Sequence, residues 1–239
     1  MSKDSSKPIG HPEDAGNAGS LEIVRDVPHV PDGTARARHN PLAGAPLVME
    51  TREPWEQRFG AKVPLEVEIG FGYGNFLLEH AARNPGIGLV GFEIRRFLVE
   101  HVERRAKKLG LENIAVLRGD ARRLLPALFG ARQLQAVHIL FPDPWWKKRH
   151  KRRRLVDGSF VRLLHGLLEP GGTVQLRTDV LEYGEAMIST FEDGSGLFQN
   201  LEAPRSFSHE NPLSVPSNRE RRYLEAGTPV YRLLYRKAG

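Results

Sequence analysis

A glycine-rich turn and three spaced acidic residues could together hold one ligand. Glycine lets a backbone approach a ligand closely, because no Cβ stands in the way. The glycines of the turn are Gly70, Gly72 and Gly74. Glu68 precedes the turn, Glu93 lies 23 residues after its first glycine, and Asp120 comes later again. A carboxylate at the place of Glu93 can accept hydrogen bonds from both hydroxyls of a ribose.

The spacing of these residues favours a cationic cofactor over a dinucleotide. The turn reads GxGxG, with Asn75 where the third glycine of the dinucleotide-binding pattern would fall. Glu68 would repel the phosphates of a nicotinamide cofactor and attract a positive charge. S-adenosylmethionine carries a sulfonium and an ammonium and no phosphate, so it fits Glu68, Glu93 and Asp120 better than NAD does. Any one of these acids alone is as often a surface residue or a helix N-cap.

The turn FPDPWW presents a further acidic residue, Asp143, between two prolines. Proline fixes its own φ and disfavours helix in the residue before it, so residues 141–144 are predicted to form a stiff, extended turn that presents the carboxylate. Trp145 and Trp146 offer flat surfaces on which a base could stack. At least one of these tryptophans is expected to lie in the core instead.

The run KKRHKRRR follows this turn and carries the positive charge of the chain. It holds seven of the 35 Lys and Arg residues, and the remaining 28 are matched by 29 Asp and Glu. Most basic octamers are solvated charge runs or targeting tails, but this one lies between a strand-like and a helix-like segment. Cations this close together repel one another, and bound phosphates would neutralise them. We therefore predict that the run binds a polyanion.

Strand-like and helix-like segments alternate from residue 63 to the end of the chain. The predicted strands are LEVEI, IGLVGFEI, NIAVLRGD, LQAVHILF, TVQLRTD and PVYRLLYRK. The predicted helices are NFLLEHAAR, RRFLVEHVERRAKKLG, ARRLLPALF, SFVRLLHGLL and VLEYGEAMISTF. Such alternation implies an α/β fold with a mostly parallel, doubly wound sheet, covered on both faces, that binds ligands at the carboxyl ends of its strands.

The amino-acid composition along the chain limits the possible domain organisation and the possible chemistry. We expect residues 1–35 to be a disordered extension, residues 36–62 an arm with little regular structure, and residues 63–239 a single domain. There is no apolar stretch of the ~20 residues that span a bilayer, so we expect no membrane partner. The chain has no cysteine, which excludes disulfides, thiolate zinc sites and a cysteine nucleophile. A cytoplasmic location fits this composition, and we predict no metal site.

Several of these segments resemble the bacterial tRNA (guanine-N7-)-methyltransferase family. The matching segments are EIGFGYGNF (68–76), GFEIRR (91–96), FPDPWWKKRHKRRRL (141–155), LRTD (176–179), SNRERRYLEAGTPVYR (217–232) and, in the arm, RARHNP (36–41). The chain departs from the family at Trp146, where Pro or His is more usual, and at Asn218 and Arg219. The resemblance implies a Rossmann-like class I fold that depends on S-adenosylmethionine.

The resemblance further implies methyl transfer to N7 of a guanine in the variable loop of tRNA. It implies that Asp143 is catalytic and, with the glycines and acids named above, contacts the cofactor. The substrate-binding residues that it implies are Lys147, Asp179, Ser217, Asn218, Arg219 and Glu220. The residues that would contact RNA phosphates are Arg149, His150, Lys151, Arg152, Arg153 and Arg154. A monomer and a homodimer are both compatible with the sequence.

Guanine N7 has an in-plane lone pair, so it can attack a sulfonium methyl group without first losing a proton. We therefore predict that no general base is needed, that Asp143 stabilises the positive charge that develops on the ring, and that Asp179 orients the base. Two alternatives stay open: a methyltransferase for another RNA base, and a non-enzymatic RNA-binding module on the same fold. Chemistry at pyrimidine C5 would lack its usual thiol.

Overall fold

The computed structural model describes residues 53–209 and 215–239. Its strands are β1 (Leu65–Ile69), β2 (Gly88–Glu93), β3 (Ile114–Arg118), β4 (Leu134–Leu140), β5 (Leu168–Thr178), β6 (Phe198–Asn200) and β7 (Tyr231–Lys237). Its helices are α1 (Glu53–Phe59), α2 (Asn75–Arg83), α3 (Arg96–Lys108), α4 (Ala121–Leu128), α5 (Gly158–Leu167), α6 (Leu181–Phe191) and α7 (Asn218–Glu225), and a 3₁₀ helix spans Lys148–Arg153. The predicted alternation of strands and helices is confirmed.

The seven strands form one sheet in the order β3-β2-β1-β4-β5-β7-β6. The first five pair in parallel, whereas β7 runs antiparallel to β5 and to β6. The chain builds outward from β1 to β3 and then returns to β4 on the other side of β1. In open parallel sheets, such a reversal of strand order opens a crevice at the carboxyl ends of the strands, where ligands bind. The predicted doubly wound class is confirmed, and the crevice lies after β1 and β4.

Apolar clusters hold the helices on the sheet. One cluster joins α2 and α3 to β2, with Leu77, Leu89 and Val102 all fully buried. A larger cluster joins α1, α4, α5 and α6 to the central strands. Burial of this kind stabilises a fold by roughly 25 cal/mol per Å² of apolar surface. The rigid sheet that results can fix the loops at its carboxyl edge.

Helix α1 lies within the segment that we expected to have little regular structure. Trp55 is 2% exposed, stacks on Phe129 with ring centroids 5.1 Å apart, and donates from Nε1 to the backbone oxygen of Leu128 at 2.7 Å. A helix of seven residues is not stable by itself, so this packing must hold it. Residues 1–52, with the predicted disorder and most of the predicted arm, lie outside the described residues.

Strand β5 is longer than the predicted strand TVQLRTD, since it begins at Leu168 and continues through the PGG segment. The pairing with β4 shifts register there, from Leu134 opposite Leu168 to Ala136 opposite Thr173. Gly171, with φ of 78°, supplies a conformation that other residues rarely adopt. Strand β6, with three residues, is too short to show a period in the sequence. No helix in the described ranges is long and apolar enough to cross a bilayer.

Candidate active site

The glycine turn between β1 and α2 is an open backbone surface at the carboxyl end of β1. Gly70, Gly72 and Gly74 have φ of 76°, 56° and 68°, a region that strains other residues. A Cβ added at Gly70 or Gly72 would meet no atom within 4 Å, whereas one at Gly74 would lie 2.5 Å from Cγ2 of Val102. The first two glycines therefore leave room for a ligand, and the third one allows α2 and α3 to pack.

Glu93 closes one side of this turn through hydrogen bonds. Its Oε2 accepts from the backbone N of Gly72 at 3.1 Å, and its Oε1 accepts from the backbone N of Arg95 at 3.0 Å. Nε of Arg95 also donates to Oε1 at 3.1 Å. Burial by itself would raise the pKa of Glu93, but the hydrogen bonds from Arg95 and Gly72 outweigh it and lower the pKa. Glu93 is therefore a fixed, ionised carboxylate at the end of β2.

Glu68 is a buried acid with unused hydrogen-bonding capacity. Only 3% of the residue is exposed, and no residue in the described ranges provides a hydrogen-bond partner for its Oε2. Burial raises the pKa of Glu68 to about 8, while the positive charge of Arg177 opposes the rise and the negative charge of Glu93 adds to it. At neutral pH this carboxyl group is mostly protonated, and a cationic ligand beside it would favour its ionised form.

Asp120 follows β3 and serves as the N-cap of α4. Its Oδ1 accepts a hydrogen bond from the backbone N of Arg122 at 2.9 Å. Asp120 therefore has the N-cap role that an acid at this position often has. Capping uses one of the two carboxylate oxygens, so Asp120 could cap α4 and bind a ligand at the same time.

Asp143 follows β4, the neighbour of β1, and reaches the same rim of the sheet as the glycine turn. The two strands pair in parallel, with Ile139 opposite Ile69. The side chain of Asp143 is exposed. Hydrogen bonding to Glu93, together with the negative charge of Asp143, raises the pKa of Arg95. The guanidinium of Arg95 is therefore hydrogen-bonded to Glu93 and lies within the electrostatic influence of Asp143.

The turn between β4 and the basic run has a strained backbone. Phe141 and Trp145 have φ of 55° and 48°, values that residues other than glycine rarely adopt. The backbone N of Phe141 donates to the backbone oxygen of Arg177 at 2.8 Å, and Nε of Arg154 donates to that of Pro144 at 2.9 Å. Such strain persists only where the surroundings enforce it, and it is concentrated at functional sites. These two anchors fix the direction in which the turn presents its carboxylate.

The basic run is not uniformly exposed. Its exposed cations are Lys147, Lys148, Arg149, Arg152 and Arg153. Arg154, in contrast, is only 9% exposed and lies over the ring of Tyr183, with Cζ 4.5 Å from the ring centroid. Lys151 and Arg154 both donate to Oε1 of Glu182 on α6. Arg154 was predicted to contact phosphates; in this structure it is buried, and its hydrogen bonds to Pro144 and Glu182 brace the turn.

The two tryptophans of the turn have different surroundings. Trp146 is 68% exposed. Trp145 is partly buried, with the ring of His150 edge-on at 5.8 Å and Cζ of Arg153 at 5.1 Å from its centroid. Neither ring belongs to the core, so the expectation that at least one would do so was wrong. Trp146 therefore keeps an open face for a stacking partner.

Asp179 follows β5 and is one of four interacting side chains. Its Oδ2 accepts from Nη2 of Arg219 at 3.1 Å and from the hydroxyl of Tyr223 at 2.8 Å. Nε of Arg219 donates to the same hydroxyl at 2.9 Å. The Arg219 guanidinium also lies over the ring of Phe141, with Cζ 5.3 Å from its centroid. We call Phe141, Asp179, Arg219 and Tyr223 the Asp179 cluster.

Ser217 and Glu220, both predicted to contact the substrate, hold α7 in place. Oγ of Ser217 caps the helix by accepting from the backbone N of Glu220 at 3.2 Å. The carboxylate of Glu220 is fully buried and accepts from Nη1 of Arg177 and, at 2.8 Å, from Nε of Arg232. Because its carboxylate has no exposed surface, Glu220 anchors α7 to the sheet and is not available to a base. The side chain of Asn218 lies outside the described part of the chain.

Near the amino end of β1, three buried or nearly buried side chains resemble a set of metal ligands. Oε2 of Glu66 lies 2.8 Å from Nε2 of His80 and 2.8 Å from Nε2 of His138, and the three atoms lie within 4.8 Å of one another. Nδ2 of Asn84, however, lies 3.3 Å from Nδ1 of His80. An amide NH₂ there favours the tautomer whose proton is on Nε2 and points to Glu66. We therefore interpret this set as a hydrogen-bonded carboxylate–imidazole network.

Sequence reasoning missed two residues of the site, Arg95 and Tyr223. Arg95 follows Glu93 by two residues, and this spacing lets its backbone N and its side chain bind the same carboxylate. Tyr223 follows Arg219 by four residues, so both lie on one face of α7. The spacing of Glu93 and Arg95 was visible in the GFEIRR segment. The pairing of Arg219 with Tyr223, in contrast, required knowing that α7 is a helix.

Comparison with known proteins agrees with this geometry. Residues 62–233 match the family model described as "Putative methyltransferase". The tRNA (guanine-N(7)-)-methyltransferase of Anaeromyxobacter dehalogenans (strain 2CP-C) is 48% identical over 196 residues, which is 81% of this chain and 96% of that protein. The protein of the same name from Myxococcus xanthus (strain DK1622) is 42% identical over 186 residues, which is 78% of this chain and 89% of that protein.

Solved structures support the fold. The 16S rRNA methyltransferase KamB aligns with a TM-score of 0.57 at 19% identity, over 79% of this chain and 94% of that one. The aminoglycoside resistance methyltransferase NpmB1 aligns with a TM-score of 0.53, also at 19% identity, over 79% of this chain and 94% of that one. Identity this low shows a shared fold and no more. The sequence matches, which span 89% and 96% of the two relatives named above, show that the chain belongs to the bacterial tRNA (guanine-N7-)-methyltransferase family.

Proposed function

We propose that this protein transfers a methyl group from S-adenosylmethionine to N7 of a guanine in the variable loop of tRNA. The observation that carries the proposal is the placement of Glu93, Asp143 and Asp179 at the carboxyl ends of strands at the crevice. Relatives named for this reaction, at 42% and 48% identity, support the same activity.

The residues at the crevice fit the cofactor. Glu93 is an ionised carboxylate that suits the ribose hydroxyls, and Gly70 and Gly72 leave room for close approach. The buried Oε2 of Glu68 suits a cationic group. When bound, S-adenosylmethionine supplies a sulfonium methyl group, which the lone pair of guanine N7 takes over as the carbon–sulfur bond breaks.

The protein then has to position the base and stabilise charge. A carboxylate at the place of Asp179 can accept hydrogen bonds from N1–H and N2–H of guanine, which leaves N7 free on the opposite edge of the base. Asp143, on the neighbouring strand end, can stabilise the positive charge that develops on the ring. No proton has to be removed from N7, so the site needs no general base. Alignment of the reacting atoms can supply up to about 7–11 kcal/mol.

The exposed cations of the basic run, with the open ring of Trp146 beside them, suit a negatively charged RNA backbone. Phosphate contacts would give affinity and register, while the choice of base would depend on Asp179. Because the substrate is tRNA, we place the protein in the cytoplasm.

The direct test is methylation of unmodified tRNA with labelled S-adenosylmethionine, followed by strand scission specific for N7-methylguanine. We expect label in the tRNA and scission at one guanine of the variable loop. Label at another base would show a different methyltransferase. Cofactor binding without transfer to any tRNA, or no cofactor binding in calorimetry, would favour an RNA-binding module.

A pair of variants tests the role of Asp143. Asp143→Asn should lower kcat by at least about 100-fold, as loss of a stabilising group at a developing charge does, with cofactor binding largely kept. Asp193→Asn is the matched control, because Asp193 lies in the exposed loop between α6 and β6. Near-normal turnover of Asp143→Asn would refute the assignment of Asp143.

A further inference from the structure

Arg219 makes three contacts in this structure that a planar base with N–H donors could make in its place. Its Nη2 donates to Oδ2 of Asp179 at 3.1 Å. Its guanidinium lies over the rings of Phe141 and Tyr223, with Cζ 5.3 Å and 5.4 Å from their centroids. The place beside Asp179, Phe141 and Tyr223 is therefore already filled by a flat, donor-bearing group from the protein itself.

A guanidinium and the Watson–Crick edge of guanine are chemically alike. Each is planar, and each offers neighbouring N–H donors that fit one carboxylate. Each can also stack on an aromatic ring. Adenine differs, because its N1 is an acceptor and would face the carboxylate unfavourably.

We propose that Arg219 is a placeholder for the target base: it occupies the guanine subsite at Asp179 and has to swing out before guanine can bind. The inference rests on the proposed function, since it names the subsite of that reaction. As a placeholder, Arg219 keeps the Asp179 carboxylate oriented between turnovers and admits only a base that can replace its donors.

The surroundings allow Arg219 to leave without disturbing the subsite. The side chain is 49% exposed, so it has solvent to move into. The hydroxyl of Tyr223 keeps its own hydrogen bond to Asp179 at 2.8 Å. Helix α7 stays anchored through the buried carboxylate of Glu220. Only the Arg219 contacts have to break.

The test compares Arg219→Met with Arg222→Met. Methionine keeps the length of the stem and has no N–H donor. Arg222 is exposed on the same helix, so its variant loses the same charge and leaves the cluster intact. The probe is labelled guanosine, which carries no phosphate, and its dissociation constant is measured by equilibrium dialysis with the cofactor present. We expect Arg219→Met to bind guanosine about two- to five-fold more tightly than Arg222→Met, the size expected for release of a half-exposed ion pair.

Two further measurements complete the test. The affinity for adenosine should not improve, and the KM for tRNA should be lower for Arg219→Met than for Arg222→Met. Weaker or unchanged guanosine binding, or a higher KM for tRNA, would overturn the inference and make Arg219 an ordinary substrate contact. Urea unfolding of both variants checks that α7 remains folded. If the wild-type protein fails to methylate tRNA although the guanosine comparison succeeds, the proposed function fails and the guanine subsite stands.

Discussion

Nε of Arg154 donates a hydrogen bond to the backbone oxygen of Pro144 at 2.9 Å, and this contact ties the end of the basic run to the turn that presents Asp143. Nη2 of the same guanidinium binds Oε1 of Glu182 at 3.3 Å. A residue within a run of cations thus positions the proposed catalytic acid, and its burial separates it from the cations that surround it.

Arg154→Lys should therefore impair catalysis more than RNA binding. An ammonium group cannot reproduce the planar arrangement that joins Pro144 to Glu182, so the turn should shift. Because small displacements of reacting groups are costly, we expect kcat to fall by about ten- to 100-fold, with little change in the cofactor Kd or the tRNA KM. Arg152→Lys, at an exposed position, is the control. A rise in the tRNA KM with kcat intact would instead make Arg154 a phosphate contact.

Cofactor binding should release a proton from Glu68 near neutral pH. Its pKa of about 8 means that the carboxyl group is mostly protonated at pH 7, and a cationic ligand favours the ionised form. Affinity for S-adenosylmethionine should therefore rise with pH up to about 8 and then level off. Calorimetry in two buffers of different ionisation enthalpy measures the released proton. Glu68→Gln should abolish the release, and a persistent release in that variant would contradict the assignment.

The contribution of the basic run to the salt dependence of tRNA binding should come from its exposed cations. Five are exposed, so the slope of log K against log salt from this run should be at most about −3.5 to −4.5. Arg152→Gln should reduce the slope by about one, with a similar loss of affinity for all tRNAs. Filter binding over a range of salt concentrations measures the slope. A flat dependence would mean that the run does not bind RNA.

The Glu66 network should stabilise the fold at neutral pH and lose that contribution in acid. Burial opposes ionisation of Glu66, but hydrogen bonds from His138 and His80 lower its pKa from 4.5 to about 2. The unfolded chain therefore takes up this proton first as the pH falls. The contribution, roughly 3 kcal/mol, is full above about pH 5 and is lost as the pH falls towards 2.

Urea unfolding between pH 6 and pH 2.5 measures this effect. Glu66→Gln should be less stable than the wild type at pH 6 and should show a flatter dependence on pH below 5. Glu185→Gln, at an exposed position on α6, is the control and should follow the wild type. Equal acid sensitivity in Glu66→Gln and the wild type would show that this carboxylate does not carry the effect.

The strand–helix alternation, the glycine turn and the order of the acids could be read from the sequence, because local periodicity reports which residues face the core. Helix α1 could not, since its stability depends on the distant ring of Phe129. The role of Arg154 was also hidden, because nothing local distinguishes it from the arginines beside it. What distinguishes Arg154 from those arginines is its burial against Tyr183.

The sequence by itself determined the fold class, the positions of the carboxylates after successive strands, and the concentration of positive charge in one loop. These properties depend on residue type and on spacing along the chain. Only the tertiary structure decided which charges meet: Arg95 with Glu93, Arg219 with Asp179, and Glu220 with Arg177 and Arg232. The reason is physical, since an ion pair requires two side chains within a few ångströms, and the packing of α7 on the sheet sets that distance for residues far apart in the chain.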